Sequence, residues 1–358
     1  MKDQMLPDWI SGRYSLNNFA DDPLFRSLAP AHTLAQKPLG FIDIGARGGV
    51  HDLMAPIAAL TAVLGFEPDE QACAELNADI DHQAQWAQFK MMPLALSDLS
   101  GPATLHLCSA PTNHSLLPVN KPFADRYNMV KFTQTGEFPV ITKTLDEVIF
   151  GELKAETHWG EFLKIDTQGS EYQILQGAQR TLKERTVALF VEVEFCHIYE
   201  KQSLFSELEM LLRKQGFVFY GFHSTHERSC KQLDKSLYIG RERLLHADAV
   251  FFRDPLPGSY GEQPLSSRGN QTLFVCSLLL GYFDFALELA LKTFARDGVA
   301  SRDLTAWIEK LAYCDPAHTR EAVDRLAQAV KAEPRLANVA AGRFVDHRRA
   351  ICNFEDVI

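Results

Sequence analysis

Hydrophobic and polar positions alternate between residues 39 and 253 in a pattern that predicts strands and helices in turn. Amphipathic segments with helical spacing occupy 69–78, 170–183 and 203–214. Between them lie short apolar runs that predict strands: LGFIDI (39–44), AVLGFE (62–67), FKMMPLAL (89–96), EFLKID (161–166), VALFVEVE (187–194), FVFYGF (217–222) and ADAVFFR (247–253). Strands that alternate with helices in this way predict an α/β fold with a mostly parallel sheet and helices on both faces.

Two segments depart from this alternation. The polar stretch 109–138 follows an extra predicted β element, GPATLHL, and a structureless loop of that length in a compact domain is usually functional. The last two apolar runs are separated by the polar, loop-like segment 223–246, with no evident crossover helix. The pattern therefore predicts an antiparallel hairpin that closes a seven-stranded, otherwise parallel sheet.

Beyond the last predicted strand the pattern is helical, with helices expected at 270–280, 283–296, 302–312, 317–332 and 336–349. The stretch LLLGYFDFALELALKTF has the turn and spacing of a tetratricopeptide-type helix pair; a small helical cap or a dimerisation module fits equally well. The predicted division is an N-terminal lead-in 1–38, an α/β domain 39–255, a linker 256–269 and a helical C-terminal module 270–358. The apolar helices of this module could cover the α/β domain or join a second copy in a homo-oligomer.

The composition excludes several classes of protein. A formal net charge of −10 argues against a nucleic-acid partner, since phosphates are bound by clustered Lys and Arg. The seven cysteines include no CxxC pair, which predicts reduced thiols rather than a disulfide framework. No apolar window approaches membrane-spanning length and the N-terminus lacks a signal-peptide core, so a cytoplasmic protein with no membrane partner is expected. His223, His226 and Cys230 lack a second pair of ligands, so no metal is predicted.

The candidate chemistry begins at FIDIGARGG (41–49), where a buried strand ends in an acid and three glycines. Glycines let the backbone approach a ligand closely, an α/β sheet binds ligands at the carboxyl ends of its strands, and a helix expected to start near Val50 would add its N-terminal N–H groups. The spacing is not that of a dinucleotide site, and Asp43 would repel a pyrophosphate but suit a cationic amino group. Glu67, at the end of the second strand, lies where a carboxylate accepts hydrogen bonds from ribose hydroxyls. A ligand with a ribose and a cationic amino-acid end is S-adenosylmethionine.

Several stretches resemble the FkbM-type methyltransferases over about residues 39–253. They are FIDIGARGG, LGFEPD, LALSDLSGPATLHL, TNHSLL, TLDEVI, FLKIDTQGSEYQILQGA, VEVEF with Tyr199, and ADAVFFR. The resemblance implies a Rossmann-like class I domain that moves the methyl group of S-adenosyl-L-methionine to an oxygen. The acceptor it implies is a hydroxyl of a sugar, a glycan or a small metabolite.

The resemblance also implies which residues line the cofactor: Asp43, Gly45, Ala46, Arg47, Gly48, Glu67, Pro68, Ser97, Asp98 and Asp166. Within this set Glu67 would hold the ribose, Ser97 and Asp98 would flank the adenine, and Asp166 would face the methionine end or the methyl group. Arg47 is expected to point away from a sulfonium, towards an anion on the substrate.

The candidate general bases are His197, His114 and Asp166, with Glu194 also considered. His114 lies in the polar insertion and His197 follows the fifth strand, and these two histidines are favoured jointly. Glu192 and Glu194 are two apart on a strand and so share one face. Gln168 and Glu171 fit a structural role as well as a cofactor contact. Orientation alone supplies about 7–11 kcal/mol in such reactions, so an unassigned base does not count against methyl transfer.

Two other functions compete with methyl transfer. An NAD-dependent oxidoreductase has the same fold class and a similar acid after the second strand, but its phosphate-binding glycine spacing is missing here. A non-catalytic scaffold would use the helical C-terminal module to bind a partner, and the intact glycine turn and Glu67 weigh against it.

Overall fold

The computed structural model describes residues 19–349, apart from residues 157, 235, 239, 260–262, 314 and 315. Most of the predicted lead-in, part of the predicted linker and the last residues of the C-terminal module lie outside the described residues.

The strands follow the predicted alternation, except that the run expected at 89–96 is divided between two strands of different sheets. In chain order they are β1 (Leu39–Ile44), β2 (Thr61–Phe66), β3 (Gln88–Met92), β4 (Ala95–Leu96), β5 (Gly101–Cys108), β6 (Gln134–Lys143), β7 (Phe162–Ile165), β8 (Ala188–Glu194), β9 (Val218–Arg228) and β10 (Arg243–Phe252). Over the described residues they form a seven-stranded sheet in the order β3-β2-β1-β7-β8-β10-β9 and a three-stranded sheet in the order β4-β6-β5.

The large sheet is parallel from β3 to β8, and β10 runs antiparallel to both β8 and β9. This is the mostly parallel α/β sheet with a closing antiparallel hairpin that the sequence predicts. The hairpin is longer than predicted, because β9 and β10 extend through polar residues and leave only 229–242 as the connection. The predicted bounds of the loop, 223–246, are therefore wrong at both ends.

The insertion 109–138 also differs from the expected structureless loop. It holds α5 (Lys121–Arg126), short 3-10 turns and the first half of β6, which pairs with β5 along its length. Pairing between strands gives this polar segment its order, which its own hydrophobicity does not indicate.

The remaining helices are α1 (Pro23–Ser27), α2 (Ala29–Gln36), α3 (Glu70–Ala78), α4 (Ile80–Gln83), α6 (Leu145–Glu147), α7 (Glu171–Gln176), α8 (Gln179–Glu184), α9 (Phe205–Lys214), α10 (Ser267–Leu279), α11 (Phe283–Thr293), α12 (Gly298–Ala312), α13 (Pro316–Ala332) and α14 (Ala337–Arg349). The helix expected after the glycine turn is instead a 3-10 segment, Asp52–Leu60, with Pro56 inside it and a non-helical Ile57. Proline removes a helical hydrogen bond and blocks a regular α-helix here.

Two hydrophobic cores cover the two faces of the large sheet. One contains Ile42, Leu163 and Val191 together with residues of α7 to α9. The other joins Phe41 and Phe252 of the sheet to the N-terminal helices and to α10, α11 and α12. The C-terminal helices thus complete the core of the α/β sheet, which is one of the two placements that the sequence left open.

Helix α10 starts at Ser267, inside the predicted linker. Arg268 forms an ion pair with Glu161, at 2.6 Å from Nε to Oε1. It also donates to the carbonyl oxygens of Lys37 and Pro38 at 2.9 Å each. These contacts tie α10 to the starts of β1 and β7.

None of the helices in the described part of the chain is long and apolar enough to span a lipid bilayer.

Candidate functional site

A cavity opens at the carboxyl ends of β1, β2 and β7. Strand order reverses at β1, which has β2 on one side and β7 on the other, and open α/β sheets bind ligands at such switch points. The space between its lining residues is about 810 Å³, part of which is open to solvent. Its wall combines strand-end residues with residues of the second sheet and the turn after β5, among them Gly45, Glu67, Leu96, Leu105, His114 and Asp166.

The predicted cofactor and catalytic residues fall into two groups. One group lines the cavity: Gly45, Arg47, Glu67, Pro68, His114 and Asp166. The other, also among the described residues, lies outside its lining: Asp43, Ala46, Gly48, Ser97, Asp98 and His197. Residues of the first group can therefore contact a ligand in the cavity directly. Residues of the second group do not form the cavity wall.

The glycine turn after β1 is held by its own backbone. Gly45 (φ 83°) and Gly48 (φ 87°) adopt the left-handed conformation that favours glycine. A Cβ on Gly45 would lie 1.9 Å from the carbonyl oxygen of Asp166, so the turn packs directly against the end of β7. The N–H groups of Gly45 and Ala46 both donate to the carbonyl oxygen of Phe66 at 3.1 Å. These two amides are consequently not available to a ligand.

Asp43 has a protein partner in place of the predicted ligand. Its carboxylate is buried and lies 3.1 Å from Nζ of Lys164, and it accepts from the N–H of His51 at 2.9 Å. Burial alone would lower the pKa of Lys164, but the carboxylates of Asp43 and Asp166 outweigh burial and raise it. Asp43 therefore has Lys164 as its cationic partner in the protein, and its contact with the amino group of a ligand stays a prediction.

Glu67 sits at the end of β2 with its carboxylate largely buried in the cavity wall. It accepts from the N–H of Asp69 at 2.9 Å, and Nη1 of Arg47 lies 3.7 Å away. Burial raises the pKa of Glu67, against the lowering effects of that hydrogen bond and of Arg47. A carboxylate has about four acceptor sites, so Glu67 keeps the capacity to accept from two further hydroxyls.

Arg47 lines the cavity but its charge is already matched. Its Nη2 donates to Oδ2 of Asp69 at 3.2 Å, next to the contact with Glu67. The guanidinium therefore points to the acids that follow β2. The orientation of Arg47 relative to a cationic ligand or a substrate anion stays a prediction, and its partners within the protein are the carboxylates of Glu67 and Asp69.

Asp166, at the end of β7, is the acid that opens into the cavity, with 41% of its side chain exposed. Gln168 donates from Nε2 to Oδ1 of Asp166 at 3.1 Å and to Oε2 of Glu192 at 3.0 Å. Its Oε1 accepts from the hydroxyl of Tyr199 at 3.0 Å. The backbone of Gln168 is left-handed, with φ 61°, and its carbonyl oxygen accepts from Ser115 Oγ at 2.6 Å. Gln168 is thus a fixed junction between the cavity floor and the insertion.

The two favoured histidines differ sharply in position. Nδ1 of His114 accepts from the N–H of Cys108 at 3.0 Å, so the neutral ring carries its proton on Nε2 and donates there. Burial and the nearby Arg47 lower the pKa of His114. His197 is exposed, and its backbone carbonyl accepts from Asn120 at 2.8 Å. Neither geometry fits the predicted general base, because His114 presents a donor and the His197 side chain lies outside the cavity lining.

Ser97 and Asp98 lie just past the cavity wall. Ser97 Oγ donates to Oδ1 of Asp98 at 3.0 Å, and the preceding Ala95 and Leu96 are the residues that line the cavity. Ser97 and Asp98 thus lie outside the cavity lining, and their place beside the adenine stays a prediction.

Sequence reasoning missed Lys164, although it stands in the apolar run FLKID. A charged residue inside a buried strand indicates a functional or paired side chain, and Asp43 shows the same signal. The junction made by Gln168, Ser115 and Tyr199 carries no comparable signal, because these three residues are far apart in the sequence.

Residues 43–219 match the family model described as the methyltransferase FkbM domain. No curated protein matches the sequence. A crystal structure of a methyltransferase FkbM from Methylobacillus flagellatus KT aligns at a TM-score of 0.34 with 13% sequence identity. That alignment covers 60% of this chain and 43% of the other, so the chain spans less than half of that protein's length.

Proposed function

Because residues 43–219 belong to the methyltransferase FkbM family, we propose that this protein transfers a methyl group from S-adenosylmethionine to an oxygen. The acceptor is a hydroxyl of a sugar, a glycan or a small metabolite. The observation that carries the proposal is the cavity at the switch point, with Glu67 on one side and Asp166 on the other.

The residues present suit this cofactor. Its sulfonium centre supplies a reactive methyl group when bound, and each transfer to a hydroxyl releases one proton. Glu67 has acceptor capacity for the two ribose hydroxyls, and the apolar Phe66, Leu94 and Leu96 give the cavity a surface for a flat base. Asp166 supplies negative charge on the side opposite Glu67. Arg47 adds little opposing charge because Glu67 and Asp69 already pair with it.

The competing dinucleotide function meets a specific obstacle. A pyrophosphate is normally bound by the free N–H groups of the glycine turn and of the following helix. Here the amides of Gly45 and Ala46 donate to Phe66, and the amide of His51 donates to Asp43. The 3-10 segment that follows is also a poor substitute for a helix N-terminus. These contacts favour S-adenosylmethionine, which has no phosphates, over a dinucleotide.

The acceptor side of the cavity is formed by the insertion and the second sheet. Leu105, Thr112 and His114 line it there. We place acceptor specificity in these residues, with the Nε2–H of His114 as a donor to an oxygen of the acceptor. A polar donor beside an apolar wall suits a hydroxylated molecule of modest size.

Calorimetric titration with S-adenosylhomocysteine tests the proposal, with NAD as the competing ligand. We expect selective binding of S-adenosylhomocysteine by the wild-type protein. The change Glu67→Ala should weaken it about tenfold to a hundredfold, because a charge-assisted hydrogen bond contributes about 1.5–3 kcal/mol.

The matched control is Glu70→Ala, an exposed acid in the first turn of the next helix, which should leave the affinity unchanged. Binding of NAD but not of S-adenosylhomocysteine would reject the proposal. Equal affinity in the Glu67→Ala and wild-type proteins would remove Glu67 from the ribose site.

A further inference from the structure

A group of acidic side chains lies behind the cavity floor. Asp166 reaches the cavity, whereas Glu192 is 12% exposed in its side chain and Glu171 and Glu194 are buried. The carboxylates of Glu171, Glu192 and Glu194 lie within 4.8 Å of one another. Like charges at such distances cannot all be ionised at low cost, so protons must be held within the group.

The link between Asp166 and Glu192 is geometrically defined. The two N–H groups of the Gln168 amide hold one carboxyl each, at 3.1 Å and 3.0 Å. A hydrogen bond with Asp166 is also among the causes that raise the pKa of Glu192. Ionised carboxylates only accept hydrogen bonds, so this contact requires a proton between them.

The position of that proton follows from the surroundings. Burial, with Asp166, Glu194 and Glu171 close by, raises the pKa of Glu192 well above its ordinary value. Glu192 therefore holds the proton and donates, and Asp166, on the cavity side, accepts. Lys164 Nζ lies 4.0 Å from Asp166 and keeps positive charge beside the accepting carboxylate.

A second contact leads from Glu192 to the surface. Its Oε1 lies 2.9 Å from Nδ1 of His246 on β10. The His246 ring stacks on His226 of the edge strand β9, with centroids 4.3 Å apart and an interplanar angle of 7°. Burial and His226 lower the pKa of His246 to about 4, so the ring is neutral and has one nitrogen that can take a proton. His226 is exposed.

We propose that Asp166 and Glu192 form a carboxyl pair that shares one proton at rest and takes up the proton lost by an acceptor hydroxyl, with His246 as its route to solvent. This rests on the proposed function. The O–H bond of the acceptor breaks, its proton goes to Oδ of Asp166, and both carboxyls are then neutral. At rest His246 donates from Nδ1 to Glu192; water moves this proton to Nε2, Nδ1 then accepts the proton of Glu192, and Nε2 releases its own to solvent. The proton on Asp166 passes to Glu192 across their hydrogen bond, which restores the resting pair and the resting histidine.

In this scheme Asp166 is the catalytic residue and Glu192 and Gln168 are positioning residues. The charged or titratable groups that surround the pair are Lys164 on the same strand, Glu171 on α7, Glu194 on β8, His246 and Asp248 on β10, and Tyr199. They are mostly acidic, which favours keeping one proton on the pair and limits the negative charge next to the cavity.

Infrared difference spectroscopy at neutral pH tests the pair without any ligand. The wild-type spectrum should contain protonated-carboxyl absorption that shifts in heavy water, and the Glu192→Gln variant should lose the band of the pair while any band of Glu171 or Glu194 remains. The change Asp166→Asn should move the same band, because it removes the hydrogen-bond acceptor of Glu192. Glu309→Gln, an exposed acid on α12, should leave it in place.

A Glu192→Gln spectrum identical to the wild type, or a band that ignores Asp166→Asn, would overturn the proposal. Circular dichroism verifies that each variant is folded. If Glu192→Gln does not fold, carboxyl carbon shifts of glutamate in the labelled wild-type protein decide the same question, since a fully ionised set would reject it. Failure of the wild-type protein to bind S-adenosylhomocysteine would instead reject the proposed function, and the infrared result would stand independently.

Discussion

Glu194 illustrates how the fold changes a single acidic residue. It lies at the end of β8, 3% exposed, and pairs in register with His246 of β10. Burial, Glu171 and Asp166 raise the pKa of Glu194 well above its ordinary value of 4.5. Between that value and the higher value in the native protein, the native state binds more protons than the unfolded state. Stability is therefore lost as the pH rises through this window.

The change Glu194→Gln should remove that loss while keeping the shape of the side chain. Relative to the wild type, we expect the variant to gain free energy of unfolding as the pH rises above 4.5, by about 1.4 kcal/mol for each unit within the window. Urea denaturation from about pH 5 to pH 8 measures this gain. Glu309→Gln serves as the exposed control, and a difference between Glu194→Gln and the wild type that stays constant with pH would contradict the explanation.

Asp43 shows which property of a site residue the sequence cannot predict, namely its partner in the folded protein. The sequence identified it as a buried acid at a strand end, and that position is correct. Its partner is decided by the order of strands, because β7 lies beside β1 and places Lys164 directly opposite Asp43 in the register. The sequence does not contain strand order in readable form, so the acid was assigned to a ligand. The positions of Glu67 and Asp166 depend only on where their own strands end, and both residues line the cavity.

Among the elements, the turn after β1 has the most demanding geometry. The left-handed conformation of Gly45 and the approach of its Cα to Asp166 combine a backbone preference with a steric limit. Gly48 has the same conformation, but a Cβ there would meet nothing within 4 Å. A comparison of alanine variants at Gly45 and Gly48 therefore separates backbone strain from the steric contact with Asp166.

We expect Gly45→Ala to lower the free energy of unfolding by roughly 2–4 kcal/mol, since left-handed strain and a backbone collision add. Gly48→Ala should cost only the strain, about 1–2 kcal/mol. Urea denaturation of both variants measures the difference. Equal losses would show that the contact with β7 contributes nothing.

Element ends were harder to predict than element positions. The strands β9 and β10 continue through Ser224, Thr225 and Arg243, which have no hydrophobic pattern of their own. Each is held by pairing with the other strand, and that is a property of two segments together. Pro56 is a contrasting case, because its effect on the helix expected after Val50 could have been predicted from the residue alone.

The whole molecule depends on its C-terminal helices for one face of the sheet. Leu273, Phe274 and Leu278 of α10 are fully buried in the core that contains Phe41 and Phe252. Helices α13 and α14 differ, because none of their described side chains is buried. The predicted boundary at residue 255 therefore separates the sheet from a part of its own core.

A chain that ends at residue 255 should not fold cooperatively, because it exposes the apolar face that α10 to α12 cover. A chain that ends at Ala312 should unfold cooperatively, within about 2 kcal/mol of the full-length protein, because it keeps that face covered. Circular dichroism and urea denaturation of both truncations measure this. Cooperative unfolding of the shorter chain would contradict the dependence on α10.

The contacts of Arg268 have a consequence for synthesis on the ribosome. Its partners lie 107 residues away at Glu161 and 231 residues away at Lys37. Contacts that are so distant along the chain form slowly and late. The segment that carries the cavity therefore emerges well before α10, the helix that completes its core. The apolar face of the sheet stays exposed during this part of translation. This interval is when the nascent protein is most exposed to aggregation and in most need of chaperones.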